Sequence, residues 1–316
     1  MHWPPRFVTL LLTLLLLAPP GGRSVSAQDA PLNVVATTTQ IADLARVIGG
    51  DTVSVTGIMQ PGVDPHLYRA SESDLNAMLK ADVIFYNGLN LEGKMSEIFV
   101  HLASEKPVVP LGAQIPADQL LNVPDFPEEY DPHFWFDPTL WMMAAQVVAD
   151  TLAEADSNHA EAYQANAVGY IAELAALNAA NEAALGDIPE NQRVLVTAHD
   201  AFGYFGNRYG FDVIGIQGLS TETEAGIADM QRVADIIIES NVPAIFVEST
   251  ISPATIEAVQ AAVADKGGAV VIGGSLYSDA MGDAGTPEGT YLGMYQHNIN
   301  TIVSLYLAEP VATPES

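Results

Sequence analysis

The stretch HAEAYQANAVGYIAELAALNAANEAAL, His159 to Leu185, decides the fold. It contains one glycine, Gly169, and no proline, and is rich in Ala, Leu and Glu, which cost little to hold in a helix. Tyr163, Ala167, Tyr170, Leu174, Leu177 and Asn181 recur at spacings of three and four, which aligns them along one helical face. At ~1.5 Å per residue the segment is about 40 Å long. A helix of that length exceeds the globular norm, so it reads as a rigid spine spanning two lobes. Gly186-Asp187-Ile188-Pro189 ends it, and Thr139–Ala155 before it is a second helical stretch without glycine or proline.

Outward from the spine, short β-branched runs alternate with helical segments on both sides. On the N-terminal side Asn33–Ala36, Val53–Met59, Val83–Tyr86 and Val108–Val109 read as strands. Gln40–Ile48 and Ser71–Lys80 read as helices, the second opened by a capping box in which Asp74 replaces the usual Glu. On the C-terminal side the strands are Arg193–Thr197, Phe211–Ile216, Ala244–Glu248 and Ala269–Ile272. The helices there are Ile227–Ser240, Pro253–Ala264 with Ser252 as N-cap and Pro253 at the first helical position, and Tyr291–Leu307. Such βα alternation predicts parallel sheets covered by helices. The expected class is therefore α/β, with two Rossmann-like lobes of mostly parallel sheet joined by a long rigid helix. The expected divisions are 1–27, 28–157, 158–187 for the spine, and 188–316, with Pro310–Ser316 as a frayed tail.

Residues 1–27 have the features of a signal peptide. Arg6 supplies the positive start, Phe7–Ala18 is apolar, Pro19–Gly22 breaks the run, and Val25-Ser26-Ala27 offers a cleavage site before Gln28. The apolar run falls short of the ~20 residues that span a bilayer, which argues against a membrane anchor. No comparable run follows, so the expectation is a soluble exported protein, periplasmic or otherwise extracytoplasmic. The chain has no cysteine, which removes disulfides, thiolate metal sites and a lipoprotein anchor together. Any metal must be held by nitrogen and oxygen. With 39 acidic against 11 basic residues the formal charge is −28, a balance that argues against nucleic acid as partner. Loss of the leader removes Arg6 and Arg23 and no acid, which deepens it.

Six histidines follow the leader, and three have unusual surroundings. His66 lies in Asp64-Pro65-His66, after a predicted strand, and His133 in Asp131-Pro132-His133, before a predicted helix. His199 lies just past the strand Arg193–Thr197, with Asp200 following. Ligands of open α/β sheets bind outside the carboxyl ends of strands, where His66 and His199 emerge. In each Asp-Pro-His, proline fixes its own φ and keeps the preceding Asp extended, so the histidine is presented stiffly. The nearby carboxylate is then available to orient the imidazole. His101 and His159 read as surface residues, and His297 as a packing or hydrogen-bonding residue of the last helix. Asp279 follows the strand Ala269–Ile272 in a glycine-containing loop, at the corresponding end of the second sheet. Together His66, His133, His199 and Asp279 would form an N3O site with two ligands from each lobe.

The segments Gly62-Val63-Asp64-Pro65-His66-Leu67-Tyr68, Asp131-Pro132-His133-Phe134-Trp135-Phe136-Asp137, Thr197-Ala198-His199-Asp200-Ala201-Phe202-Gly203-Tyr204-Phe205 and Tyr277-Ser278-Asp279-Ala280-Met281-Gly282 carry a resemblance. In this order they are similar to the zinc- and manganese-binding solute receptors of ABC transporters, the TroA-like cluster A-I family, over essentially the whole mature chain. The resemblance implies that the four residues bind one metal ion between the lobes, and that a membrane permease receives it. It also implies that the metal is cargo and that the spine is the family's linking helix. Manganese-dedicated members usually carry glutamate where this chain has His199, and a third imidazole favours zinc. Members with three histidines and this aspartate also take both ions, and the His-rich loop of many zinc receptors has no counterpart in Gly112–Asp131. Zinc is the first expectation and manganese the second.

The alternatives are a zinc-dependent hydrolase and a surface adhesin on the same fold. Catalytic zinc keeps a coordination position for water, whereas four protein ligands fill the shell here, and no His-Glu-x-x-His motif is present. The expectation is accordingly a monomeric receptor, not an enzyme. The loop bearing Asp279, flanked by Gly273, Gly274 and Gly282, is expected to move on release.

Overall fold

The computed structural model describes residues 1–3, 30–123 and 126–307. The expected cleavage signal and the expected frayed tail lie outside the described residues. Residues 1–30 separate as a unit of their own, and residues 31–316 form the body described below.

The body contains two four-stranded parallel sheets. In the first, β1 (Leu32–Ala36), β2 (Val53–Gly57), β3 (Val83–Tyr86) and β4 (Val108–Pro110) lie in the order β2-β1-β3-β4. Val34 of β1 pairs with Val83 of β3 and Val35 with Ile84, all buried, so the middle of the sheet is apolar on both faces. A small antiparallel hairpin, β5 (Asn122–Val123) and β6 (Phe126–Tyr130), follows. In the second sheet, β7 (Val194–His199), β8 (Asp212–Gln217), β9 (Ala244–Glu248) and β10 (Val271–Leu276) lie in the order β10-β9-β7-β8. The α/β class and the two-lobed arrangement are as the alternation predicts.

Helices α1 (Thr39–Gly49), α2 (Glu72–Lys80), α3 (Ser96–Leu102) and α4 (Pro138–Ala155) belong to the first half. The spine is α5 (Ala160–Gly186). Helices α6 (Gly203–Tyr209), α7 (Ile227–Glu239), α8 (Ala254–Asp265) and α9 (Tyr291–Tyr306) belong to the second. The capping box of α2 forms as the sequence implies: Ser71 Oγ accepts from Asp74 N, and Asp74 Oδ2 accepts from Ser71 N at 2.7 Å. Helix α4 starts with Pro138 at its first turn, and Asp137 accepts from Thr139 N at 2.8 Å.

The spine buries Tyr163, Ala167, Tyr170, Leu174 and Asn181, while Leu177 is half-buried. It also buries a polar residue that periodicity does not find. Asn178 Oδ1 accepts from Arg208 Nε at 3.1 Å and from Tyr209 OH at 3.1 Å, which docks α6 against the spine. On its other faces α5 packs on α1, α4 and α9. One apolar core runs through both halves, from Val34 and Phe85 through Trp141 and Tyr291 to Leu195 and Phe246. Smaller cores lie under α7 and α8 and beneath α2 and α3.

Three boundaries differ from expectation where they bear on function. β7 continues to His199, whose Cα pairs with Gln217, because the segment stays buried and hydrogen-bonded to its end. Helix α8 begins one residue late, at Ala254; Pro253 itself is the cap, and Ser252 Oγ reaches Ala254 N at 3.4 Å. β10 begins and ends later than expected and includes Gly273 and Gly274, which belong to an irregular strand register between Ile272 and Ser275. A Cβ on Gly273 would lie 2.8 Å from Phe246 Cε1 and 3.2 Å from Ala244 Cβ, besides 2.4 Å from the tip of Leu305, so packing favours glycine there. Gly274 has φ +125°, which admits little else.

Candidate metal centre

The carboxyl ends of the two sheets converge on one point. His66 ends the segment after β2, His133 follows β6, His199 is the last residue of β7, and Asp279 lies three residues beyond β10. All four are buried, and one ligand atom from each lies within 4.8 Å of the others. His66 Nε2 faces His133 Nε2 at 3.4 Å. Asp279 Oδ1 is 3.5 Å from His133 Nε2, and Oδ2 is 3.6 Å from His66 Nε2 and 3.3 Å from His199 Nε2. Zinc bonds of ~2.0–2.1 Å to nitrogen and oxygen give tetrahedral edges of about 3.3–3.4 Å, close to these separations.

Each imidazole is set differently. His133 Nδ1 bonds Asp131 Oδ1 at 2.7 Å, so the Nδ1 proton is donated to the carboxylate and the Nε2 lone pair turns inward. The same Asp131 oxygen accepts from His133 N at 2.9 Å. In the other Asp-Pro-His, Asp64 accepts from His66 N at 2.9 Å but spends its second oxygen on Thr221 Oγ1, at 2.5 Å, and does not hold the ring. The orienting role expected of both aspartates thus falls to one. For His199 it falls not to the neighbouring Asp200 but to Glu248, the last residue of β9. Glu248 Oε2 takes His199 Nδ1 at 2.5 Å and Oε1 takes His199 N at 2.8 Å. The sequence places Glu248 at the end of a strand but assigns it no role. Its only signal is an acid closing a strand, and its value depends on β9 lying beside β7.

Charge and burial oppose each other here. Burial, with the neighbouring imidazoles, pushes the His66 pKa down to about 3 despite the attraction of Asp279. Burial also disfavours a charged His199, but the Glu248 and Asp279 carboxylates outweigh it and raise that pKa well above the usual value. Burial works against ionised Asp279, yet the three imidazoles, His199 foremost, hold its carboxyl well below the ordinary range. Among the described residues His199 Nε2 and both Asp279 oxygens have no hydrogen-bond partner. Buried polar atoms without partners are costly, and three aimed at one point suit a cation.

The loop around Asp279 is firmly bonded. Ser278 O accepts from Gln40 Nε2 at 3.1 Å and from Trp135 Nε1 at 3.2 Å, and Met281 N donates to Thr39 Oγ1 at 2.8 Å. Asn298 brackets Tyr277 N and O at 2.9 and 2.7 Å. His66 is set in a looser frame: it borders cavities of about 380 and 300 Å³, walled in part by Asn90, Ser220 and Glu222. The remaining histidines stand apart. His101 is exposed on α3, His159 Nδ1 bonds Asp156 at 2.6 Å, and His297 Nε2 reaches Ser275 O at 3.0 Å.

Comparison with known proteins agrees with this geometry. The family model "ZnuA: Zinc-uptake complex component A periplasmic" matches residues 34–305. The manganese-binding lipoprotein MntA of Bacillus subtilis (strain 168) is 47% identical over 274 residues, 87% of this chain and 89% of that one. The zinc-binding protein TroA of Treponema pallidum (strain Nichols) is 45% identical over 284 residues, 90% and 91% of the two chains. The solved structure of the periplasmic zinc-binding protein TroA superposes with a TM-score of 0.86 at 44% identity, covering 88% of this chain and all of that one. The names of these relatives divide between manganese and zinc, so likeness alone does not choose the ion.

Proposed function

The chain belongs to the ZnuA/TroA family of metal-binding substrate-binding proteins of ABC transporters, and from that premise we propose that His66, His133, His199 and Asp279 hold its cargo. The cargo is a divalent transition metal, zinc first and manganese second, which the protein delivers to a membrane permease. The observation that supports this most directly is the convergence of three imidazoles and a carboxylate, with three partnerless buried atoms, on one point. Three nitrogens favour zinc. Both Asp279 oxygens face the centre, so bidentate binding would add a fifth donor and suit manganese, which favours oxygen.

Competitive Zn²⁺ and Mn²⁺ titration, paired with elemental analysis of protein purified without added metal, tests the reading. Tight binding of one ion per chain, lost in His199→Ala, is the expected result; equal binding by the variant would overturn it. We infer no catalytic role, since four protein ligands complete the shell; zinc-dependent hydrolysis of a model ester or peptide would contradict this. The receptor acts as a monomer after cleavage before Gln28, which sedimentation and N-terminal sequencing check. With no cysteine, this chain carries no lipid thioether, unlike relatives whose names call them lipoproteins.

A further inference from the structure

Glu92 is a buried carboxylate outside the ligand set, 2% exposed, with no Lys or Arg ion pair among the described residues. It sits in the loop after β3, next to an unusual backbone. Gly88, Leu89 and Asn90 have φ of +77°, +51° and +65°, three consecutive left-handed residues of which two are not glycine. L-residues rarely adopt that region even singly, and such runs persist only where the surroundings dictate them. The Glu92 carboxylate fixes the entry to this run, together with backbone bonds from Leu91 N to Gly88 O and from Gly112 N to Asn87 O. Its Oε1 accepts from Thr37 Oγ1 at 2.7 Å and from Asn87 N at 2.8 Å, and its Oε2 accepts from Gly88 N at 3.1 Å.

These donors lie at the carboxyl ends of β1 and β3, adjacent strands whose pairing continues to Thr37 N and Phe85 O. From each, one further step reaches a ligand-bearing segment. Thr37 O accepts from Met59 N at 2.9 Å, where the chain leaves β2 for His66. Two and three residues beyond Thr37, the side chains of Thr39 and Gln40 bond Met281 N and Ser278 O on either side of Asp279. Asn87 Nδ2 donates to Pro132 O at 2.9 Å, immediately before His133. Three of the four ligand segments are therefore tied to one carboxylate, while His199 has Glu248 on the other sheet.

We infer that Glu92 is a positioning residue for the metal centre, fixing the spacing of His66, His133 and Asp279 through Thr37 and Asn87. The geometry requires a carboxylate. Each carboxylate oxygen accepts from a backbone N–H, so an amide in the same place would turn its NH2 toward Asn87 N–H or Gly88 N–H, neither of which can accept. Outer groups that orient ligands typically govern affinity ten- to a hundredfold.

The inference rests on metal binding at the four residues, so the test begins with the wild type. Zn²⁺ affinity by competition and the Co²⁺ d–d spectrum are measured for the full chain and for Glu92→Gln, Asn87→Ala and their double variant. Glu92→Gln is expected to weaken Zn²⁺ binding at least tenfold and to change the Co²⁺ band intensities. Asn87→Ala should act in the same direction, and the double variant should fall short of the product of the two losses. A Glu92→Gln protein that melts lower but keeps wild-type affinity and spectrum makes the residue merely structural and overturns the inference. Multiplying losses in the double variant would overturn it too. Should Glu92→Gln not fold, Thr37→Val and Asn87→Ala decide, since each cuts one arm, and wild-type behaviour in both refutes it. A wild type that binds neither metal would refute the function itself, which is a distinguishable outcome.

Discussion

His133 and His199 each donate a ring N–H to a buried carboxylate, while among the described residues His66 has no such bond, and this asymmetry sets the chemistry of the proposed site. Glu248 holds both the ring and the backbone N–H of His199, so Glu248→Gln leaves one of the two with a poor acceptor. Zinc affinity should drop about 10–100-fold by competition with a chromophoric chelator. The pH behaviour follows from the directions of the shifts. His199, raised above 6.5 without metal, stabilises the metal-free fold fully below 6.5, and that contribution is lost as pH rises through the raised value. Metal must displace the Nε2 proton, so near pH 7 zinc binding should release about one proton from His199. His66, held at about 3, is already neutral there and releases none. Calorimetry in buffers of different ionisation enthalpy counts the protons, and a count of zero would contradict the assignment. The proposed ligands were legible for two reasons: His66 and His133 each follow a stiffening Asp-Pro, and His199 and Asp279 lie just beyond predicted strands. Glu248 and Glu92 were not, since acids 49 and 55 residues from His199 and Thr37 acquire meaning only once strand order is known.

At the scale of elements, hydrophobic period and helix-start residues were enough to place both sheets and the spine. The misses were elements whose cues are tertiary. Helix α6 is short and carries no helical cue in the sequence, because its glycines serve packing: a Cβ on Gly206 would lie 2.7 Å from Phe211 O. The β5–β6 hairpin is too short for period-two alternation to register. Gly215, in β8, shows how an element transmits to the site. A Cβ there would lie 2.5 Å from Asp200 N and 2.7 Å from Asp200 Cα, backbone atoms that adjoin His199. Gly215→Ala should therefore press on the end of β7, costing about 1–3 kcal/mol in chemical denaturation and weakening metal binding as well. A stable variant with unchanged affinity would show that the His199 turn yields freely.

Over the whole molecule, the two sheets share one core that passes through α4, α5 and α9. Halves joined in this way should unfold together, so circular dichroism and hydrogen exchange should report one transition, with or without metal. Saturation at a hundredfold excess over Kd should add about 2.7 kcal/mol to it. Two separated transitions would mean that the core does not couple the halves. The −28 charge does not build the centre, where the proposed ligand set uses one carboxylate; it sets the long-range attraction for cations. One feature of the core reaches beyond stability. The Trp135 indole lies 5.2 Å from the His133 ring, is itself 2% exposed, and bonds the carbonyl just before Asp279. An ion entering the centre changes the electric field at that ring, and a paramagnetic one such as Mn²⁺ adds a quenching route that Zn²⁺ lacks. Trp135 emission is therefore expected to report occupancy of the proposed centre, and stronger quenching by Mn²⁺ than by Zn²⁺, lost in a Trp135→Phe variant that keeps Trp141, is the result that checks it.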